Sequence, residues 1–322
     1  MAKHKITLLA STAVACLLAL SACTNTPGTT DPTDPTNTNP ASDGAMAPTL
    51  AETSWMNKLP QSYIDSGVIQ AATTDGMAPW AFLDPTTREA SGADVDLVNE
   101  AARRLGLTVE WADIQFAAAI PGVEAGRYDL YVSAMADRID RQEVVNFIDY
   151  SSEGSGVIVP AGNPNNIQAF SDFCGLRVNI LTGSMFPPLI EELNDGDCKD
   201  NLVSMTESAD KQATYLAVAS GQADIALDTY GVSNYTFNVS EQGKNLGLEL
   251  APLPPFAPAH QGIAFAQNNT DFMMAMAGAM QEMLEDGTYQ EIFDKWAVGK
   301  LVMKQFSINT VIVAGIMDFL EI

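Results

Sequence analysis

Beyond residue 60 the hydrophobic positions switch period repeatedly. Val68-Ile69-Gln70-Ala71-Ala72 is a short apolar run closed by the turn Thr73-Thr74-Asp75-Gly76. From Val95 to Leu105, apolar Val95, Val98, Ala101, Ala102 and Leu105 fall on one face of a helix. Asp94 stands where an N-cap is expected and Gly106 where the helix should stop. Leu107-Thr108-Val109-Glu110-Trp111 reads as a strand, a helix follows from about Ala117 to Ala125, and Asp129-Leu130-Tyr131-Val132 reads as another strand. Leu176–Leu181 is a further strand ahead of Thr182-Gly183-Ser184. Residues 271–284 predict a helix whose Met273, Met274, Met276, Met280 and Met283 serve as core filling. Strands alternating with helices predict an α/β architecture with mainly parallel sheets. A weak internal echo links Val123–Leu130 with Val218–Ile225: helix end, Gly, two residues, Asp, apolar strand. Two similar α/β lobes would account for it.

The first 50 residues follow another pattern. Lys3, His4 and Lys5 precede an apolar stretch from Ile6 to Leu20, as in a secretory signal peptide, and the stretch is short for a membrane span. Leu20-Ser21-Ala22-Cys23 looks like a lipobox, with the Cys23 thiol as lipid acceptor. Residues 24–50, rich in Thr, Pro, Asn, Asp and Gly, have no apolar periodicity and read as a disordered tether. Such a chain spans about 30 Å root-mean-square. At the other end, 307–322 is apolar, and Val311–Leu320 is too short to cross a bilayer. A strand or helix docked on a lobe and a frayed tail both fit it.

Composition narrows the chemistry. The 322 residues include 16 Lys+Arg against 40 Asp+Glu, a formal net charge of −24. No basic surplus exists to neutralise phosphates, so nucleic acid is excluded as a partner, and electrostatic docking on anionic lipid is disfavoured. His4 and His260 are the two histidines, too few for a multi-histidine metal site. No cofactor is called for. Of the four cysteines, Cys16 leaves with the signal and Cys23 takes lipid. Cys174 and Cys198 remain, and an even pair in an exported protein favours a disulfide over two separate buried thiols.

Seven stretches resemble a known family: GVIQAATTDGMAPWAF (67–82), GADVDLVNEAARRLGL (92–107), PGVEAGRYDLYVSAMADRIDRQEVVNF (121–147), CGLRVNILTGS (174–184), SGQADIALD (220–228), QGIAFA (261–266) and DGTYQEIFDKWAV (286–298). In this order they are similar to the bacterial extracellular solute-binding proteins of family 3, the amino-acid-type receptors of ABC importers. The resemblance implies a two-lobed, type II periplasmic-binding-protein-like fold, with two α/β lobes joined by a two-strand hinge. It places a signal peptide at 1–22, lipidated Cys and tether at 23–56, lobe 1 at 57–157 plus 258–300, lobe 2 at 158–257 and an extension at 301–322.

The resemblance also implies a ligand site. Arg141 falls where the family grips the ligand carboxylate, a role suited to a planar, permanently charged guanidinium. The alternative is a surface Arg paired with Asp137 or Asp140. Phe116 matches an aromatic that packs on the ligand, and Trp80 lies beside the other aromatic wall unless it is core. Met77 stands where members carry Tyr or Phe. Ala134 and Ala136 replace hydroxyl residues, leaving backbone N–H groups to serve. Ser184 keeps one hydroxyl of the lobe 2 loop, and Met185 loses the next. The acid that meets an ammonium group is displaced: Thr229 holds its place and Asp228 precedes it. Arg138 facing the cleft would admit a dicarboxylate; paired with Asp137 or Asp140 it would not. The implied function is a monomeric, lipid-anchored receptor that delivers a small molecule, an amino acid or related carboxylate or amine, to an ABC permease. A dehydratase acting on cyclohexadienyl carboxylates and a lipid-anchored sensor are the alternatives.

Overall fold

The computed structural model describes residues 56–240 and 243–310. The N-terminal signal, Cys23, the tether and the tail beyond Thr310 lie outside the described residues. The strands, in chain order, are β1 (Val68–Thr73), β2 (Phe82–Leu83), β3 (Ala90–Ser91), β4 (Thr108–Asp113), β5 (Leu130–Tyr131), β6 (Val145–Pro160), β7 (Arg177–Leu181), β8 (Ser204–Ser208), β9 (Ile225–Thr229), β10 (Leu248–Leu250), β11 (Phe256–Ala266) and β12 (Val302–Ile308). Among the described residues ten of them share one sheet, ordered β4-β1-β5-β11-β6-β9-β7-β8, with β10 and β12 also paired to β6. Its two ends are parallel, β1 with β4 and β5, and β7 with β8 and β9. Its middle is antiparallel, which corrects the expectation of mainly parallel sheets: β11 pairs with β5 and β6, and β6 with β9. Parallel neighbours need crossover helices, which each lobe supplies, whereas chains returning between lobes pair directly.

Two cores flank this middle. Phe147 and Ile148 of β6 and Ile263 and Phe265 of β11 pack in the first, together with Met273, Met276, Met280 and Met283 from the helix Thr270–Asp286. Val157 of β6 and Phe256 of β11 pack in the second. On lobe 2 the side-chain alternation of strands separates two apolar layers: Ile225 and Leu227 face one, Ala226 the other. The two lobes are thus joined by β6 and β11.

The internal echo corresponds to a repeated joint. The Asp129 carboxylate accepts from Gln70 N–H at 2.7 Å, while Asp129 N–H donates to Gln70 O at 2.7 Å. In the other lobe the Asp224 carboxylate accepts from Arg177 N–H at 2.8 Å, while Asp224 N–H donates to Arg177 O at 2.7 Å. Each Asp fastens an incoming strand to the central strand of its lobe.

The helix expected from Val95 begins at Ala93, and Gly92 rather than Asp94 occupies the cap. Gly92 has φ 128°, and a Cβ there would lie 2.1 Å from the Trp80 carbonyl oxygen. Asp94 turns inward instead, wholly buried, and accepts from Ala134 N–H at 2.8 Å. Cys174 and Cys198 form a disulfide with Cα atoms 4.9 Å apart. The start of the C-terminal extension is a strand, β12, laid antiparallel on β6. No helix among the described residues is long and apolar enough to cross a membrane.

The joining strands carry a buried acid. Glu153 of β6 accepts from Gly231 N–H at 2.5 Å and from the Gln261 side chain of β11, whose oxygen accepts from Ser151 at 2.7 Å. Burial, reinforced by the charges of Asp228 and Asp94, pushes Glu153 from 4.5 up to about 8 against the lowering effect of those two donors. The folded chain therefore retains a proton that the unfolded chain releases between pH about 4.5 and about 8. Stability from this group is full below that window and is lost as pH rises through it. The melting temperature should fall across that window, and Glu153→Gln, which keeps the group neutral, should flatten the fall. An unchanged slope in thermal melts of the variant would contradict this.

Candidate functional site

The loop after β5 sets one wall of a cleft between the lobes. Ala134 takes a left-handed conformation, φ 47°, a strained choice for a residue with a Cβ. The Asp94 carboxylate on its N–H holds it there, and Ser133 Oγ donates to Thr74 O at 3.1 Å. That N–H is therefore occupied rather than offered to a ligand. The short helix Ile139–Gln142 then directs Arg141 inward, where it is 7% exposed. Its guanidinium donates to Ala136 O at 2.5 Å and, across the cleft, to Gly183 O at 2.7 Å. Its Cζ lies 5.7 Å from the centroid of the Phe116 ring, a cation–π distance. Burial, with a smaller push from Arg138, lowers Arg141 to about 10, so it stays cationic at neutral pH. Arg141 is not the surface partner of Asp137 or Asp140. Arg138 takes Asp140 at 2.7 Å, and Asp137 accepts from Gln142 at 2.8 Å.

Lobe 2 supplies the other wall. Gly183, φ 80°, follows β7 so closely against lobe 1 that a Cβ would stand 3.2 Å from Ala117 Cα. Its left-handed turn is one that glycine adopts without strain. The Ser184 hydroxyl next to it is buried with no hydrogen-bond partner. At the end of β9, Asp228 is 1% exposed. It accepts from Lys211 Nζ at 2.5 Å, from Thr229 N–H at 2.8 Å and from the Tyr215 hydroxyl.

Met77, Phe116, Ala134, Ala136, Arg141, Ser184, Met185, Asp228 and Thr229, each expected at the site, line one narrow cleft. Trp80 does not. It is fully buried in the lobe 1 core, edge-to-face with Tyr150 at 6.1 Å and Phe293 at 5.7 Å. The core alternative holds for it, because a large apolar ring gains most where aromatic neighbours exclude water.

Three lining residues escaped the sequence reading: Leu181, Phe186 and Lys211. Lys211 had a local signal. It follows the helix cap Asp210 and precedes Tyr215 by four residues, so both face the same way along the helix Lys211–Ala219. Leu181 and Phe186 read as ordinary core residues, and only the approach of the lobes puts them at the cleft.

The family model for bacterial extracellular solute-binding proteins, family 3, matches residues 69–299. The L-cystine-binding protein TcyA of Bacillus subtilis is 25% identical over 233 residues, 71% of this chain and 81% of the relative. The arginine-binding protein ArgT of Corynebacterium glutamicum is 26% identical over 257 residues, 78% of this chain and 81% of the relative. Among solved structures, an ancestral arginine-binding protein bound to arginine is 25% identical with a TM-score of 0.64, covering 71% of this chain and 98% of its own. The two-lobed, type II periplasmic-binding fold agrees with that likeness. On the extent of the match and the order of its motifs, the chain belongs to the bacterial extracellular solute-binding proteins, family 3.

Proposed function

We propose that this chain is the extracytoplasmic receptor of an ABC importer, capturing an amino acid or related small carboxylate between its lobes and delivering it to a permease. The observation that supports this most is the buried Arg141 guanidinium, shared between Ala136 of one lobe and Gly183 of the other. A carboxylate entering the cleft loses its water, and a fixed opposite charge with paired donors offsets that loss. Contacts made from both lobes favour the closed arrangement over an open one, which couples capture to hinge closure. Phe116 and Met77 contribute apolar wall.

TcyA and ArgT are binding proteins by name, which supports a receptor rather than a dehydratase or a sensor. It acts as a monomer, held at the outer face of the cytoplasmic membrane by lipid on Cys23. The lipobox Leu20–Cys23 and the polar tether support this.

Two experiments test the reading. With the ligand identified by mass spectrometry of purified protein, titration calorimetry should give Arg141→Ala an affinity about a hundredfold lower. Arg141→Lys should recover part of the loss, because a point charge lacks the forked geometry. Undiminished affinity in folded Arg141→Ala contradicts the assignment. The N-terminal peptide of the exported protein should begin at Cys23 and carry lipid; a start elsewhere removes the anchor.

A further inference from the structure

The charges lining the cleft are Arg141, Lys211 and Asp228. Asp228 is the acid among them, and it is already engaged. Lys211 Nζ and Thr229 N–H reach one of its oxygens, and the Tyr215 hydroxyl reaches the other. Lys211 is itself only 5% exposed, so this is a buried ion pair rather than a surface contact. Its place adds to the point. Lys211 opens a helix, and the helix N-terminus repels a cation, so Asp228 offsets both the ammonium and the helix dipole. On the facing lobe, a Cβ on Gly76 would sit 3.4 Å from Lys211 Cβ, so the lysine also has a lobe closed over it.

The other buried acids nearby, Glu153 and Asp94, stand outside the cleft. Glu153 accepts from Gly231 and Gln261, and Asp94 accepts from Ala134. A ligand ammonium would have to displace Lys211 from Asp228 or stay unpaired in a dry site, and an unpaired buried charge is strongly disfavoured. The three lining charges leave one positive charge over, on Arg141. Ser184 Oγ, buried and unpartnered, is a donor to spare. One carboxylate meets both requirements. A second does not, since Arg138 is tied to Asp140 and is not among the lining residues. The remaining walls, Met77, Phe116, Leu181 and Phe186, are apolar.

We propose that the cleft selects small apolar monocarboxylates without an ammonium group, with Lys211 occupying Asp228 in the place a ligand amine would take. This rests on the cleft being the ligand site and narrows the class it serves.

The test is titration calorimetry of the purified full chain against matched acids with and without the α-amino group: 3-phenylpropanoate with L-phenylalanine, and 4-methylpentanoate with L-leucine. In at least one pair the acid without the amine should bind about tenfold or more tighter. Lys211→Met, which releases Asp228, should narrow or reverse that preference; the wild-type comparison stands even where the variant does not fold. Amino acids binding as tightly as their deaminated partners, or no acid of the panel binding at all, overturns the inference. Arg141→Ala separates the two levels. Amino-acid binding that it abolishes leaves the cleft reading intact and removes only the selectivity; binding that survives it removes the cleft reading.

Discussion

Pairing of β6 with β11 holds the molecule to its shape. Both strands pass from the first core to the second, and their antiparallel ladder places the two parallel ends of the sheet on either side of one seam. The ladder slips between Phe256 and Ala259 and again between Gln261 and Gly262. Such irregularities interrupt the hydrogen bonds and concentrate bending and twist. The seam is also where polar groups are buried: Glu153, Gln261 and Ser151 satisfy one another within it. A buried polar network of this kind fixes one register, because a slipped ladder would strand its members.

The cleft follows from that placement. Arg141 projects from just before β6, Gly183 follows β7, and Asp228 is the last residue but one of β9. In α/β sheets the carboxyl ends of strands present loops, and ligands gather there. What differs between the two walls is the state of their charges. On lobe 1 a guanidinium donates to backbone carbonyls, and among the described residues no acid stands at hydrogen-bond distance from it. On lobe 2 an acid and a lysine cancel. The lining side chains thus carry one positive charge in excess, although the chain as a whole is strongly acidic.

The sequence was legible wherever residue type or a recurring pattern points to the role by itself. The repeated Asp joints, the helix after Gly92, the methionine-rich core helix and the paired cysteines belong to this kind. Signals failed where the role depends on which way a side chain turns. Asp94 sits two residues past Gly92, which already caps the helix, so it was free to point inward and hold Ala134. Trp80 has the same residue type as a cleft aromatic, and only three-dimensional neighbours, Tyr150 and Phe293, distinguish a core ring from a ligand wall. Lys211 and Asp228 are 17 residues apart, and their pairing depends on two elements meeting at the cleft. The antiparallel centre of the sheet was equally hidden, since it arises from segments far apart in the chain, such as Ile158 with Ala226 and Phe147 with Ala264.

The central claim is that the buried guanidinium of Arg141 is the charge a ligand carboxylate meets. The most direct measurement is a crystal structure of the protein with a tightly bound carboxylate. The account predicts both carboxylate oxygens on the Arg141 guanidinium at about 2.8 Å, with the rest of the ligand against Phe116 and Met77. A ligand seated elsewhere, or one in the cleft with no oxygen within hydrogen-bond reach of Arg141, would contradict it.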